Sequence, residues 1–113
     1  MALLAGLRVY QIGSGLASAV CGRAFADLGA TVRCDGADRS TPLTAYLNDG
    51  KTDSEAELAD ADVIVCEGSP AALRAACSDI AHLRARNATA VIVAISPFGQ
   101  TGPDADLPAT DLT

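Results

Sequence analysis

Ala90-Val91-Ile92-Val93-Ala94-Ile95, followed by Ser96-Pro97-Phe98-Gly99-Gln100-Thr101-Gly102-Pro103, is the stretch that most strongly decides the fold. The first six residues form a continuous apolar run rich in β-branched side chains, which is typical of a strand buried on both faces of a parallel sheet. Two pairs of Pro and Gly follow at once, and they predict turns. The sequence therefore predicts a buried parallel strand that ends at Ile95.

Three similar apolar runs lie upstream and alternate with helical patterns. Strands are predicted at 7–12, 30–34 and 62–66. Helices are predicted from about 16 to 28, from Thr41-Pro42 to about 47, briefly up to Asp60, and from Ser69-Pro70 to about 86. This order predicts an α/β, Rossmann-like layered fold, with a parallel sheet of about four strands and helices on both faces.

Helical periodicity also predicts which helix faces are buried. In the first helix the apolar face comprises Ala17, Val20, Ala24 and Leu28. In the last helix the predicted buried residues are Leu73, Ala76, Cys77, Ile80 and Leu83. Ser54-Glu55-Ala56-Glu57 fits a capping box for the brief helix before Asp60.

The length of 113 residues fits one domain with its own core, so we expect a single domain over 1–113 with a tail from about Asp104. Half of the residues are hydrophobic, but the aromatic residues are only two Tyr and two Phe. Alanine supplies much of the apolar fraction, which favours close packing of helices on the sheet.

The charge balance excludes several classes of partner. The net charge is −6, the pI is about 4.4 and the eight basic residues are scattered, which argues against a nucleic-acid partner. No apolar run approaches the length of a membrane span, and the N-terminal residues lack the basic start of a secretory signal. We therefore expect a cytoplasmic protein without a membrane partner.

The cysteines do not suggest a metal site. Cys21, Cys34, Cys66 and Cys77 form no C-x-x-C pair, and His82 is the only histidine. The simplest prediction is that the cysteines are small buried hydrophobic residues and that His82 lies on a helix surface.

The glycine turn after the first strand has two interpretations. Gly13-Ser14-Gly15-Leu16-Ala17-Ser18 lies where a dinucleotide fingerprint would open a helix, and Asp35 follows the second strand near the place of a ribose-binding acid. This favours a small NAD(P)- or FAD-binding domain. Alternatively, the tight turn simply needs glycine, and Asp35-Gly36 is only a turn.

A set of short motifs, taken in order, resembles CoA-transferase family III, the formyl-CoA and carnitine CoA-transferase group. The motifs are L-A-G-L-R-V ending at Val9, A-D-L-G-A-x-V at 26–32, L-N-x-G-K at 47–51, A-D-V-I-V at 61–65 and I-S-x-F-G-Q-T-G-P at 95–103. Together with the glycine turn they cover most of the chain, and the last motif is the most specific of them.

The resemblance implies an N-terminal α/β part of an enzyme that moves CoA between carboxylic acids, with CoA or acyl-CoA as ligand. It implies backbone contacts to CoA at Leu16 and Ala17 and a phosphate contact at Lys51. The family's catalytic aspartate lies outside the 113 residues, so we expect no activity from this chain alone. On its own evidence, Lys51 could meet a phosphate as a point charge or be a solvated lysine at a helix end.

Some positions depart from the family pattern. The segment between Lys51 and the third strand is short, Glu67-Gly68-Ser69-Pro70 lacks the arginine of the family's E-x-F-R-P-G, and Asp35-Gly36-Ala37 replaces a basic residue. Ala109-Thr110-Asp111 replaces the G-H-D of the racemase branch, which disfavours racemase chemistry. These departures favour the alternative of a non-catalytic assembly domain with a decayed CoA site. Its partner would be the remainder of a longer enzyme, another subunit or a second copy in a homodimer.

Overall fold

The computed structural model describes residues 3–13, 15–53 and 57–107. Within these ranges the elements are β1 (Arg8–Ile12), α1 (Leu16–Asp27), β2 (Thr31–Arg33), α2 (Pro42–Leu47), a 3-10 helix (Leu58–Asp60), β3 (Val63–Glu67), α3 (Pro70–Ala75), α4 (Ile80–Arg86) and β4 (Val91–Ile95). All four predicted strands are present, and each begins and ends within one residue of its expected bounds.

The four strands form one sheet in the order β2-β1-β3-β4, and every pairing between neighbours is parallel. The predicted α/β class and parallel sheet are confirmed. The chain moves from β1 to one side for β2 and then crosses to the other side for β3. Parallel sheets bind ligands at the carboxyl ends of the strands near such a reversal.

Helices cover both faces of the sheet, as predicted. On the α1 face the buried residues Val9, Ala30, Val32, Val63 and Val65 pack against the half-buried Cys21, Phe25 and Ala26. On the opposite face the buried cluster comprises Leu58, Ala61, Ile64, Cys66, Leu73, Leu83 and Ala90. Both faces of β3 are therefore dry, which explains the unbroken apolar sequence of this central strand.

The predicted buried face of α1 is wrong. Ala17, Val20, Ala24 and Leu28 are exposed, whereas the buried residues of this helix are Ser18, Ala19 and Gly22. Small side chains face the sheet because they allow the helix axis to approach it closely. The larger apolar side chains are left on the outer surface.

The predicted long helix from 70 to 86 is two helices. Cys77 has a φ of 54°, so it lies in the left-handed region and ends the first helix. Ser78 N donates to Leu73 O at 2.8 Å, which is the bond that closes a Schellman-type helix end. Because the helical register is lost here, Ala76, Cys77 and Ile80 are exposed, and only Leu73 and Leu83 of the predicted set are buried.

The segment after α2 runs beside β2. Cys34 N donates to Thr52 O and Thr52 N donates to Val32 O, both at 2.9 Å, so Lys51 is held next to the carboxyl end of β2. The predicted capping box includes residues 54–56, which lie outside the described ranges. Its last member, Glu57, forms an ion pair with Arg33, with Nη1 and Oε1 3.2 Å apart.

The start of the predicted tail packs against α3. Ala105 is buried, and Asp106 Oδ1 accepts a hydrogen bond from Ala71 N at 2.8 Å. The comparison with the G-H-D of the racemase branch concerns Ala109, Thr110 and Asp111, which lie outside the described residues. Among the helices that the structure describes, none has the length and apolar character needed to cross a membrane.

Candidate functional site

A cavity of about 380 Å³ lies between α1 and the carboxyl ends of β1 and β2. Its lining comes from the end of β1, the first turn of α1, the segment after β2 and one side of α2. The lining residues are Gln11, Gly13, Gly15, Leu16, Ala19, Cys34, Asp35, Gly36, Ala37, Asp38, Thr44 and Asn48. We call this cavity the first cavity.

A second cavity of about 370 Å³ adjoins the first and shares Cys34, Gly36 and Ala37 with it. The other lining residues of the second cavity are Arg39, Lys51, Thr52 and Asp53. The two cavities differ in charge. The lining of the first cavity includes Asp35 and Asp38 and, within the described ranges, no Lys or Arg, whereas the lining of the second includes Arg39, Lys51 and Asp53.

Lys51 is buried, so the alternative of a solvated surface lysine is wrong. Its side chain is 7% exposed, and Nζ donates to Ala19 O at 3.0 Å and to Asn48 Oδ1 at 2.7 Å. Burial lowers the pKa of the ammonium because it takes the charge out of water. Both hydrogen-bond partners of the ammonium are neutral. No carboxylate among the described residues forms an ion pair with it. The predicted phosphate contact at Lys51 remains a prediction.

Gly22 makes room for this buried amine. A Cβ at Gly22 would lie 2.1 Å from Gln11 Oε1 and 3.1 Å from both Lys51 Cε and Lys51 Nζ. Gln11 Oε1 is itself buried and has no hydrogen-bond partner among the described residues. A polar layer made by Gln11, Asn48 and Lys51 therefore lies under α1 beside both cavities.

Arg39 is a cation of the second cavity that the sequence analysis missed. Its Nη2 donates to the backbone oxygens of Asn48 at 2.9 Å and of Lys51 at 3.1 Å. These bonds fold the loop after β2 back onto the end of α2. No carboxylate in the described part of the chain pairs with Arg39. A basic residue is therefore present in the loop after β2, although Asp35-Gly36-Ala37 stands at the expected position.

The carboxyl groups of Asp35 and Asp38 are both held in the ionised form. Asp35 accepts a hydrogen bond from Arg33 Nε and another from Tyr10 Oη, both at 2.8 Å. The bond from Arg33 lowers the pKa of Asp35. Asp38 Oδ1 accepts a bond from Ser40 N at 2.9 Å, and hydrogen bonding by Ser40 lowers the pKa of Asp38. Both groups are negative at neutral pH.

The N-terminus of α1 is occupied by a side chain of β3. Glu67 Oε1 accepts a hydrogen bond from Ser18 N at 2.7 Å, and a Cβ at Gly15 would lie 2.3 Å from the Glu67 carboxyl group. A dinucleotide would place its pyrophosphate at this helix end. The Glu67 carboxylate already holds that position, and Asp35 is already bonded to Arg33 and Tyr10. These contacts argue against the dinucleotide interpretation.

Of the other predicted site residues, Leu16 lies at the first cavity and Ala17 lines neither cavity. Leu16 lines the cavity and is 57% exposed, and the neighbouring Ala17 is exposed on the first turn of α1. Neither residue lines the second cavity with Lys51. The structure therefore does not bring the three predicted residues into one cavity.

A further cavity of about 270 Å³ lies on the opposite face, at the break between α3 and α4. Its polar lining includes Tyr10 and Asp35, which are bonded to each other, together with Cys77 and Arg86. The prediction that all cysteines are buried holds for Cys34 and Cys66, but Cys21 is half-buried and Cys77 is exposed. His82 lies on the surface of α4 and contacts Asp79, as its predicted surface position requires.

Comparison with known proteins identifies the relatives of this chain. The family model for CoA-transferase family III matches residues 50–113, which is more than half of the 113 residues. No curated protein sequence matches the chain.

Solved structures are similar in fold. A hypothetical protein (Rv3272) from Mycobacterium tuberculosis is 24% identical with a TM-score of 0.77, over 98% of this chain and 37% of that protein. A CaiB/BaiF family protein from Brucella suis is 24% identical with a TM-score of 0.72, over 96% of this chain and 37% of that protein. At this identity the likeness shows the fold alone. The chain spans little more than a third of the length of these structures.

Proposed function

The chain belongs to CoA-transferase family III, and from this premise we propose that its two adjoining cavities bind CoA or an acyl-CoA. The observation that carries the proposal is the pair of cations Arg39 and Lys51 in the second cavity, neither of which forms an ion pair with a described carboxylate. A CoA molecule carries phosphates that need such groups, and its adenosine part suits a mostly apolar cavity.

The charges of the two cavities support a placement for each part of the ligand. The diphosphate lies in the second cavity, where the Arg39 guanidinium is a rigid donor and the Lys51 ammonium a compact charge. The adenosine lies in the first cavity, against Gly13, Leu16 and Ala19. Leu16 and Ala17, which are exposed in the first turn of α1, are the predicted backbone contacts.

Calorimetric titration of the chain with CoA, acetyl-CoA, NADH and FAD tests this proposal. We expect binding of the CoA compounds only. Arg39→Gln should weaken that binding about tenfold, because a hydrogen-bonded charge pair contributes 1.5–3 kcal/mol. Arg74→Gln is the matched control, since Arg74 is an exposed arginine of α3 that lines neither cavity. Binding of NADH or FAD in place of CoA would contradict the proposal.

In the proposed role, the chain supplies part of a CoA site to an enzyme that moves CoA between carboxylic acids. The family resemblance implies an aspartate nucleophile outside the 113 residues, which takes the acyl group and so divides one transfer into easier steps. We expect no turnover of acyl-CoA by this polypeptide alone. The proposed location is the cytoplasm, and the free cysteines among the described residues support it.

A second candidate function is assembly, and the outer face of α1 favours it. Large apolar side chains are exposed along α1 and the adjacent α2, namely Leu16, Val20, Leu28, Leu43 and Tyr46. Arg23 joins the two helices, because its guanidinium lies 4.3 Å from the centre of the Tyr46 ring and Nη1 donates to Tyr46 O at 2.7 Å. An interface with another subunit or with the rest of a longer chain would cover these exposed apolar side chains on two adjacent helices.

Sedimentation of the purified chain tests assembly through self-association. If this face forms a homodimer, Val20→Glu should give monomers while Leu3→Glu, a change at another exposed apolar residue, should leave the dimer intact. A wild-type chain that stays monomeric over the accessible concentration range would exclude the homodimer and leave a different subunit as the partner.

A further inference from the structure

We propose that Tyr10 is a positioning residue for the CoA site. Its hydroxyl group holds Asp35 and thereby fixes the loop of residues 35–39, which contributes to the walls of both cavities. This inference rests on the proposed function. It adds a residue that lines neither of these two cavities and acts on ligand binding through the 35–39 loop.

The 35–39 loop contributes to both parts of the proposed ligand site. Gly36 and Ala37 line the first cavity and the second. Arg39, one of the two cations placed at the diphosphate, lines the second. A displacement of this loop would therefore change the shape of both cavities and move the guanidinium group of Arg39. Binding of CoA consequently depends on how firmly the loop is held.

Hydrogen bonds, rather than side-chain packing, hold the 35–39 loop. Its residues are exposed or half-buried, and a Cβ added at Gly36 would meet no other part of the described molecule within 4 Å. At the end of the loop, Asn48 Nδ2 donates to Asp38 O at 2.6 Å, and Arg39 Nη2 donates to Asn48 O at 2.9 Å. The beginning of the loop needs an anchor of its own, and the side chain of Asp35 provides it.

Tyr10 is the firmer of two groups that hold the Asp35 carboxylate. This carboxylate accepts a hydrogen bond from Tyr10 Oη and another from Arg33 Nε, both at 2.8 Å. Arg33 also pairs with Glu57, with Nη1 and Oε1 3.2 Å apart. The Tyr10 ring instead packs against the apolar cluster that includes Leu83. The core on the sheet face opposite α1 therefore fixes the position of the hydroxyl group.

Loss of this hydroxyl group should reduce the fraction of molecules in which the 35–39 loop is in place. The apparent affinity for a ligand falls in proportion to that fraction. Tyr46 offers a matched control, because it also stacks with an arginine but lines neither of the two cavities. The guanidinium carbon lies 4.3 Å from the ring centre for Arg23 over Tyr46 and 5.2 Å for Arg33 over Tyr10.

Calorimetric titration of Tyr10→Phe with CoA tests the inference. We expect binding to weaken about threefold, which is the size of effect for one lost hydrogen bond. Tyr46→Phe should bind CoA as the wild type does. In a chain that carries Asp35→Ala, Tyr10→Phe should have no further effect, because Tyr10 acts through that carboxylate. In the free protein, Tyr10→Phe should shift the amide signals of residues 36–39, and Tyr46→Phe should not.

Equal binding of CoA by Tyr10→Phe and the wild type overturns this inference while the proposed function stands. A loss of the same size in Tyr46→Phe also overturns it. So does a loss that persists in the Asp35→Ala chain, because the hydroxyl group would then act by another route. A wild-type chain that binds no CoA overturns the proposed function and this inference with it.

Discussion

Each face of the sheet buries polar side chains, Asn87 on one face and Lys51 with Gln11 on the other. The two sets differ in how completely their polar atoms are hydrogen-bonded. On the α4 face, Asn87 Nδ2 donates to Leu58 O and Ala61 O at 2.9 Å, and its Oδ1 accepts from Ala90 N at 3.0 Å. On the α1 face, Lys51 has only neutral partners, and Gln11 Oε1 has none among the described residues.

This difference separates a part of the molecule that maintains the fold from a part that can receive a ligand. Asn87 joins α4, the 3-10 helix and the start of β4, and its neighbours are the apolar cluster around Leu83 and Ile64. The polar layer at Lys51 instead lies beside two cavities. Buried polar groups that are fully bonded specify a structure, whereas incompletely bonded ones carry a cost that a ligand can remove.

The largest expected loss of stability comes from removing the fully hydrogen-bonded side chain of Asn87. Asn87→Ala should lower the free energy of unfolding by roughly 3 kcal/mol, because the bonds of this side chain to Leu58, Ala61 and Ala90 are lost and their backbone groups are left buried. Urea denaturation measures the change. His82→Ala, an exposed change one turn earlier on α4, should alter stability by less than about 0.5 kcal/mol. Equal effects of the two changes would contradict the assigned role of Asn87.

A smaller loss of stability should follow from adding a methyl group at Gly22, which faces the polar layer of Gln11, Asn48 and Lys51. Gly→Ala within a helix normally stabilises by about 1 kcal/mol, but Gly22→Ala should destabilise by about 2 kcal/mol because its Cβ would collide with Gln11 Oε1. Denaturation of the single variant and of Gly22→Ala combined with Gln11→Ala provides the test. The double variant should be the more stable of the two. If Gly22→Ala alone is stabilising, the close approach described here is wrong.

The smallest effect concerns the charge of Lys51 and should appear as a pH dependence. Burial lowers the pKa of this amine, so the folded chain binds fewer protons than the unfolded chain at pH values between the folded pKa and about 10.5. The stability of the wild type relative to Lys51→Met should therefore rise with pH over that interval. Tyr10 is common to both proteins, and making the comparison in a Cys34→Ala background removes the coupling between Lys51 and the Cys34 thiol. A flat difference would mean that the amine is not desolvated.

The sequence predicted the strands well because their signal is local. Continuous β-branched runs such as 63–65 and 91–93 indicate buried parallel strands without knowledge of any other part of the chain. The helices were predicted less well. Apolar residues lie on every side of α1, so periodicity could not show that Ala19 and Gly22 face the sheet. No local pattern indicates that Cys77 adopts a left-handed backbone conformation.

The candidate site was predicted only in part, since it depends on contacts between distant segments. Lys51 was identified through its motif, but its burial comes from its contact with Ala19, which lies 32 positions earlier. Arg39 was missed because backbone oxygens near the end of α2 position its guanidinium. The contact of Glu67 with Ser18 spans 49 positions and follows from the pairing of β1 with β3. None of these relations is visible in a single segment.

Amide chemical-shift mapping during titration with CoA would locate the binding site itself. We predict that the perturbed amides cluster in the first turn of α1, in 34–39 and in 48–52. The amides of α3 and α4 around Leu73 and Leu83 should keep their chemical shifts. Perturbations centred on the cavity at Cys77 and Arg86, or none at saturating ligand, would contradict the assignment of the binding site to the α1 face.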